Sequence, residues 1–461
     1  MSDDAVAPVR LTGDDVAVPC IDGTERRYVS LDAAASTSAF AAVATRVAEF
    51  LPRYSSVHRG AGWKSQLATA EYEEARAAAL RFAGREGSDD VAILCRNTTE
   101  AINHLAYRLR FAPDDVVVTT VVEHHANLLP WARVARRRHV ECDGHGRFDV
   151  DDVVARLDER PRPRLLAVTG ASNVTGWLPP VEEIVAAAHE RDIPVLVDAA
   201  QLAPHRPLPR DADYLAWSGH KMYAPFGTGV LVGPRSSFTS GDPFLAGGGA
   251  VDLVDLDEVV WTDPPDREEA GSPNVVGAVA LHAAIDEFDR IGWDTIVAHD
   301  RAVAARLRRG LARIDGVRVL GDPDDVGLPV APFVVEGVPH ALVAARLSAE
   351  HAIGVRHGCF CAHPYLLRLL RLSDDEVAAY RAAVLRGDRT RMPGAVRASG
   401  GMSTTVEDVD RFLDAIAHVA SGGAPPVPYE LDVYTGDYWP ISTDEAWSGA
   451  ARRLGASCAR G

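Results

Sequence analysis

No apolar run in this chain approaches the roughly 18 residues that a membrane span needs. The opening MSDDAVAPVR also lacks a basic stretch leading into an apolar core. These two absences set a cytoplasmic protein as the expectation, with no membrane partner. Excess positive charge is missing as well. The formal net charge is −17, which argues against nucleic acid or an anionic membrane surface as a partner. A basic run, RVARRRH over 133–139, follows an apparent helix and reads as its solvated face. The six cysteines (Cys20, Cys95, Cys142, Cys359, Cys361, Cys458) follow no framework spacing, so they are expected to be reduced and free for chemistry. There is no GxxxxGK[ST] phosphate loop, no H-E-x-x-H and no Cys/His quartet. A P-loop nucleotide site and a zinc site are therefore not expected.

What is present is a long, ordinary globular composition, 461 residues with 47% apolar, enough for one large and one small domain. Between about 70 and 300, strand-like runs such as VAILC and IPVLVDAAQ alternate with helical segments such as TAEYEEARAAALRFAG and VEEIVAAAHERD. That alternation predicts an α/β fold, a mainly parallel sheet sandwiched by helices. Past about 290 the helices lengthen and strands become isolated, as in VAPFVVEG, which predicts a smaller α+β C-terminal domain. The expected division is an N-terminal extension over 1–27, a large domain over 28–290, a small domain over 291–420 and a tail over 421–461. The start of the chain is expected to pack on the small domain. The tail opens with the Gly/Pro linker SGGAPPVP and continues as YELDVYTGDYWP, aromatic enough to dock.

The chemistry concentrates around SGHKMYAPFGTGVLVG, 218–233. A lysine at a strand-proximal turn, Lys221, can be desolvated, which lowers its pKa and frees its lone pair for Schiff-base formation. Some twenty residues upstream, IPVLVDAAQ reads as a buried parallel strand delivering Asp198 to the carboxyl edge of a sheet. A Schiff-base lysine with a buried acid for a pyridinium nitrogen is what pyridoxal 5'-phosphate (PLP) requires of a protein. RNTTEAIN, 96–103, places Thr98 or Thr99 at a helix N-terminus, either as a phosphate cradle or as an ordinary cap. EHHAN, 123–127, follows a strand, where His124 can stack on a pyridine ring, fill the core or join His125 at a metal.

These motifs come in the order found in the class V aminotransferase superfamily of PLP fold-type I, which the chain resembles from YVSLDAAAS (28–36) to STTVEDVDRFLDAI (403–416). Within it the chain is similar to the SufS-like cysteine desulfurase and selenocysteine lyase branch. The resemblance implies Thr99 at the phosphate and His124 over the pyridine ring. It implies Asn173 and Gln201 near the phenolic oxygen, Ser218 and His220 at the phosphate and Asp198 at the ring nitrogen. EEAGSPNVVG, 268–277, resembles a segment that crosses a dimer interface, so Ser272 is expected to complete the partner subunit's phosphate site in a homodimer.

The second half of the site chooses the reaction. VRHGCFCAHP, 355–364, resembles the desulfurase loop, with Cys361 as the nucleophile before Ala-x-Pro. Cys359, two residues earlier, would face the same side of an extended segment. That leaves it open as a rival nucleophile, a resolving thiol or half of a zinc site. Arg397 falls in the segment resembling the substrate-carboxylate site. Arg356, Asn173 and His58 complete the expected substrate set. RLLRLSDDEVAAYRAAVLRGD, between Cys361 and Arg397, reads as an inserted helix. The resemblance implies that Lys221 works on the Cα proton and that sulfur passes from L-cysteine through Cys361 to an acceptor protein or small thiol. A C–S lyase, aminotransferase or epimerase on a larger amino acid is the alternative, and a catalytically silent partner-binding relative is another.

Overall fold

The computed structural model describes residues 9–442 apart from 59, 323 and 326, together with residue 447. Seven strands build the larger sheet: β1 (Asp90–Cys95), β2 (Val116–Thr120), β3 (Arg136–Val140), β4 (Leu165–Thr169), β5 (Val195–Asp198), β6 (Tyr214–Ser218) and β7 (Gly229–Pro234). They lie in the order β1-β7-β6-β5-β4-β2-β3. The five from β6 to β3 pair in parallel, while β7 runs antiparallel to both β6 and β1. Along β4, Leu165 and Ala167 enter one apolar core while Leu166 and Val168 enter another. This period-two division is what a sheet covered by helices on both faces demands. It explains why β2, β4, β5 and β6 are buried at every position.

The basic run corrects one expectation. Arg136 to His139 form the outer strand β3, not a helix face, and only the four-residue helix Trp131–Val134 precedes them. β3 pairs with β2 alone, and its arginines keep this edge in water, a common guard against further strand pairing.

A second sheet of β8 (Val317–Val319), β9 (Val330–Val335), β10 (Arg356–Gly358) and β11 (Ala395–Ser399) runs in the order β8-β9-β11-β10, antiparallel throughout. Helices Trp293–Leu311, His340–His351 and Val406–Ala420 share a core with it through Leu307, Val343 and Phe412. The start of the chain packs here. Strand Val29–Ser30 pairs in parallel with Ile353–Gly354, and Asp32 bridges to Ser399. After the cysteine loop come two helices, His363–Leu370 and then Asp374–Leu385, the latter within the inserted segment. Ser373 and Glu376 close a capping box on the second, whose side chains are all at least partly exposed. The tail folds into a hairpin, Tyr429–Leu431 with Tyr438–Pro440, and Tyr429 Oη meets Glu350 Oε1 at 3.0 Å. Cys458 and most of the chain after 442 lie outside the described residues.

Candidate active site

The carboxyl ends of the parallel strands and one edge of the smaller sheet enclose a cavity of about 760 Å³. Lys221, Asp198, His124, Asn173, Arg397 and Cys361 all line it. Asp198 ends β5, 3% exposed, and accepts the Ala200 N–H at 3.0 Å. Burial pushes its pKa up, while the Ala200 amide and the Lys221 charge pull it down. A cation placed against this carboxylate would keep it ionised.

Lys221 closes the short 3-10 turn Gly219–Lys221 after β6. Burial pulls its pKa down to about 8, with Asp198 opposing the shift and Arg397 adding to it. The turn is anchored by Thr37, whose amide and hydroxyl both donate to His220 O. Gln201 Nε2 donates to Ala34 O at 2.6 Å, fastening the same N-terminal segment over the cavity.

At one end, the helix α1 (Thr98–Arg108) points its N-terminus at the cavity. Asn97 caps it by accepting the Glu100 N–H. Thr98, by contrast, is spent on structure: its Oγ1 lies 2.6 Å from Ser218 Oγ, which also accepts the Thr98 N–H. The exposed Thr99 is left at the first turn beside His220. Gly229 allows this approach, since a Cβ there would stand 2.5 Å from Asn97 Cα. His124 Nδ1 accepts the Ala126 N–H at 3.0 Å, so the ring proton sits on Nε2. Burial, with the Lys221 charge adding to it, lowers the His124 pKa to about 3, and the ring is neutral.

Opposite lies Arg397 on β11, 2% exposed and cross-strand from Arg356. Two cations so placed repel. Asp32 lies between them, at 3.2 Å from Arg397 Nη2 and 3.1 Å from Arg356 Nη2. Arg397 Nη1 donates to Asn173 O at 2.8 Å and its guanidinium lies over the Phe360 ring. Arg397 Nε is buried with no partner among the described residues.

The cysteine loop departs from expectation. Phe360 and Cys361 both have positive φ, 55° and 53°, and Ala362 N donates to Cys359 O. The segment is thus a tight turn of the I′ kind rather than an extended one, and Cys359 and Cys361 do not share a strand face. Two non-glycine residues in the left-handed region cost about 1–2 kcal/mol each. Bonds from the larger body offset that cost: Asn173 Nδ2 to Phe360 O at 2.8 Å and His125 N to Cys361 O at 2.7 Å. His125 and His363 stack with ring planes 1° apart and close the far side. Cys361 is exposed in the cavity, whereas burial raises the pKa of Cys359.

His58 and Ser272 are not brought to the cavity. His58 Nε2 meets Glu73 Oε1 at 3.0 Å, and Ser272 is exposed on its own loop. Several residues at the site carried no sequence assignment. Asp32 stood inside YVSLDAAAS with no role. Glu123 gathers Thr120 Oγ1, Asn127 Nδ2 and Thr169 N, and so fixes the strand ends around His124. Glu123 is fully buried and Asp32 half-buried, and the role of each shows only in the partners that folding brings to it.

The donor set suits PLP. It offers a depressed amine, a buried carboxylate across the cavity, a neutral imidazole and a helix N-terminus with the exposed Thr99 at its first turn. The chain matches the class V aminotransferase family over residues 29–412 and belongs to it. That family is PLP-dependent, and PLP is the cofactor it implies for this chain. Cysteine desulfurase of Haloferax volcanii is 31% identical over 420 residues, 88% of this chain and 93% of that protein. The cysteine desulfurase of Dickeya dadantii is 37% identical over 351 residues, 73% of this chain and 84% of that protein. The apo cysteine desulfurase structure from Thermococcus onnurineus NA1 superposes with a TM-score of 0.77 at 32% identity, covering 86% of this chain and 95% of that one. Within the superfamily, then, the chain stands in the cysteine desulfurase branch.

Proposed function

We propose that this chain is a cysteine desulfurase acting on L-cysteine and passing its sulfur through Cys361 to an acceptor. The observation that carries this reading is the placement of Cys361 and Lys221 in one cavity, with the thiol presented on a turn that the larger body holds. PLP, when bound, supplies the aldehyde that captures the substrate amine and the ring that withdraws charge from Cα.

The chain's own groups do the rest. Arg397, buried at the cavity wall, and Asn173 orient the substrate carboxylate. Lys221 Nζ, depressed to about 8 by burial, takes the Cα proton as a neutral amine. Asp198 holds the ring nitrogen protonated, and the neutral His124 ring covers the ring face. Thr99, His220 and the α1 N-terminus take the phosphate. Cys361 Sγ attacks the substrate sulfur, leaving the persulfide on Cys361 and the carbon skeleton to leave as alanine.

The proposed assembly is a homodimer in which Ser272 reaches the neighbouring phosphate site; its exposure away from its own cavity supports this. The 28–290 and 291–420 division follows the two sheets and is proposed with it. A cytoplasmic location is proposed too, since no helix among the described residues is long and apolar enough to cross a membrane.

Product analysis with L-cysteine tests the reaction. Alanine is expected with persulfide on Cys361. Cys361→Ser should keep the cysteine-induced spectral change and lose alanine by at least about a hundredfold, while Cys359→Ser retains most activity. Pyruvate with sulfide, or full activity in both variants, would replace this reading with the C–S lyase one. What favours that second reading is the inserted segment and tail, whose residues 389–393 and 435–438 line the same cavity.

A further inference from the structure

The cavity does not end at the catalytic loop. Arg389 and Arg391 of the insertion and Thr435 to Tyr438 of the tail also line it, beyond Cys361. Both segments are fastened to the strand that leads into the cysteine turn. His340 Nε2 lies 3.1 Å from Met392 O, and His340 Nδ1 lies 3.3 Å from His357 Nδ1 on β10. His357 Nε2 in turn lies 3.3 Å from Asp437 Oδ1. Insertion and tail also touch each other: Gly436 has a φ of 81°, and a Cβ there would stand 2.8 Å from Arg389 O. They form one wall.

Even counting Asp437, which His357 holds, that wall carries an excess of positive charge in a chain of net charge −17. The cavity's other cations are accounted for. Arg397 and Arg356 share Asp32, and Arg397 is the group proposed above for the substrate carboxylate. Arg389 and Arg391 form no ion pair among the described residues. Asp388, the carboxylate that feels Arg391, is held by the Thr390 amide and hydroxyl. Cysteine has a single carboxylate, so its binding leaves these two guanidinium groups unused.

We propose that Arg389 and Arg391 form the acceptor subsite, and that the sulfur acceptor is a small thiol carrying one or more carboxylates. This rests on the desulfurase reading above. The acceptor carboxylate is held at the wall while its thiolate attacks the outer sulfur of the Cys361 persulfide. The S–S bond to Cys361 Sγ breaks, a new S–S bond forms on the acceptor, and Cys361 leaves as thiolate. The sulfane sulfur keeps its proton, and no external oxidant or reductant is consumed.

The test compares mercaptosuccinate, 2-mercaptoethanol and cysteamine as acceptors for the holoenzyme with L-cysteine. It follows the single-turnover alanine burst and the multiple-turnover rate separately. The double variant Arg389→Gln/Arg391→Gln changes two exposed side chains. It should lower kcat/KM for mercaptosuccinate by about three- to tenfold, the scale of exposed charge pairs. The burst and the 2-mercaptoethanol rate should stay within about twofold. About 1 M salt, where the screening length falls near 3 Å, should have the same effect on wild type. Equal losses for all three thiols, or no loss for mercaptosuccinate, would overturn the proposal. A slower alanine burst in the variant would overturn it by assigning the arginines to the substrate. Absence of any burst in wild type would instead remove the desulfurase reading and this proposal with it.

Discussion

Lys221 illustrates how much one side chain depends on its surroundings. The chain contains two lysines, Lys64 and Lys221. Lys64 lies exposed with its Nζ on Pro52 O, and there it has no use as a nucleophile. Burial brings Lys221 down to about 8, so about a tenth of it is neutral amine at pH 7. Capture of PLP by the apoprotein needs that neutral form. The capture rate at fixed PLP should therefore rise about tenfold per unit below pH 8 and level off above it. Stopped-flow absorbance on the apoprotein reads this directly, and borohydride reduction followed by peptide mapping should find the adduct on Lys221. A rate that keeps rising about tenfold per unit from pH 8 to pH 10, with no levelling near 8, would show that the amine is not depressed. The pairing of Arg397 with Asp32 works in the opposite sense: a buried guanidinium is kept charged and aimed by a carboxylate that no sequence motif singles out.

At the scale of elements, the phosphate end depends on how closely α1 approaches β7. Gly229 has no side chain because the Asn97 backbone occupies the space where a Cβ would go. Gly229→Ala must push the helix N-terminus away or bend β7, at a cost of about 1–3 kcal/mol for overpacking. The expected outcome is a lower melting temperature together with weaker PLP binding, measured by fluorescence titration. Loss of stability with unchanged PLP affinity would mean that the helix N-terminus is not the phosphate cradle. The cysteine turn is the other such element. Its left-handed residues persist because Asn173 and His125 hold it from the larger body, so the thiol is positioned by the packing of one body on the other.

At the scale of the molecule, Ser272 stands outside its own cavity, and the proposed homodimer gives it a site to serve. Ser272→Ala should weaken PLP binding by about fivefold, the loss of one hydrogen bond. Sedimentation velocity should show a dimer for the holoenzyme, and a PLP-replete, fully active monomer would refute the shared site. The same whole-molecule view places the insertion and tail, which are some fifty residues apart in sequence, as adjoining walls of one cavity.

The strands β1, β2, β4 and β5, with the helix at Thr98, were legible in the sequence. Each rests on local periodicity or on a motif within a dozen residues, and buried parallel strands leave an unbroken apolar run that reads plainly. The edge strand β3 was not legible, because its exposed arginines look the same on a helix or a strand until a neighbour supplies hydrogen bonds. The extended geometry assumed around Cys359 and Cys361 failed for a related reason. Left-handed backbone at Phe360 and Cys361 is locally unfavourable and exists only through bonds from residues far away in sequence. Composition and motif thus determined the fold class and the cofactor and proposed the reacting groups, which are properties of short segments. Tertiary structure alone decided the aim of Cys361, the charge balance at Asp32 and the cationic wall, because each needs groups that only folding brings together.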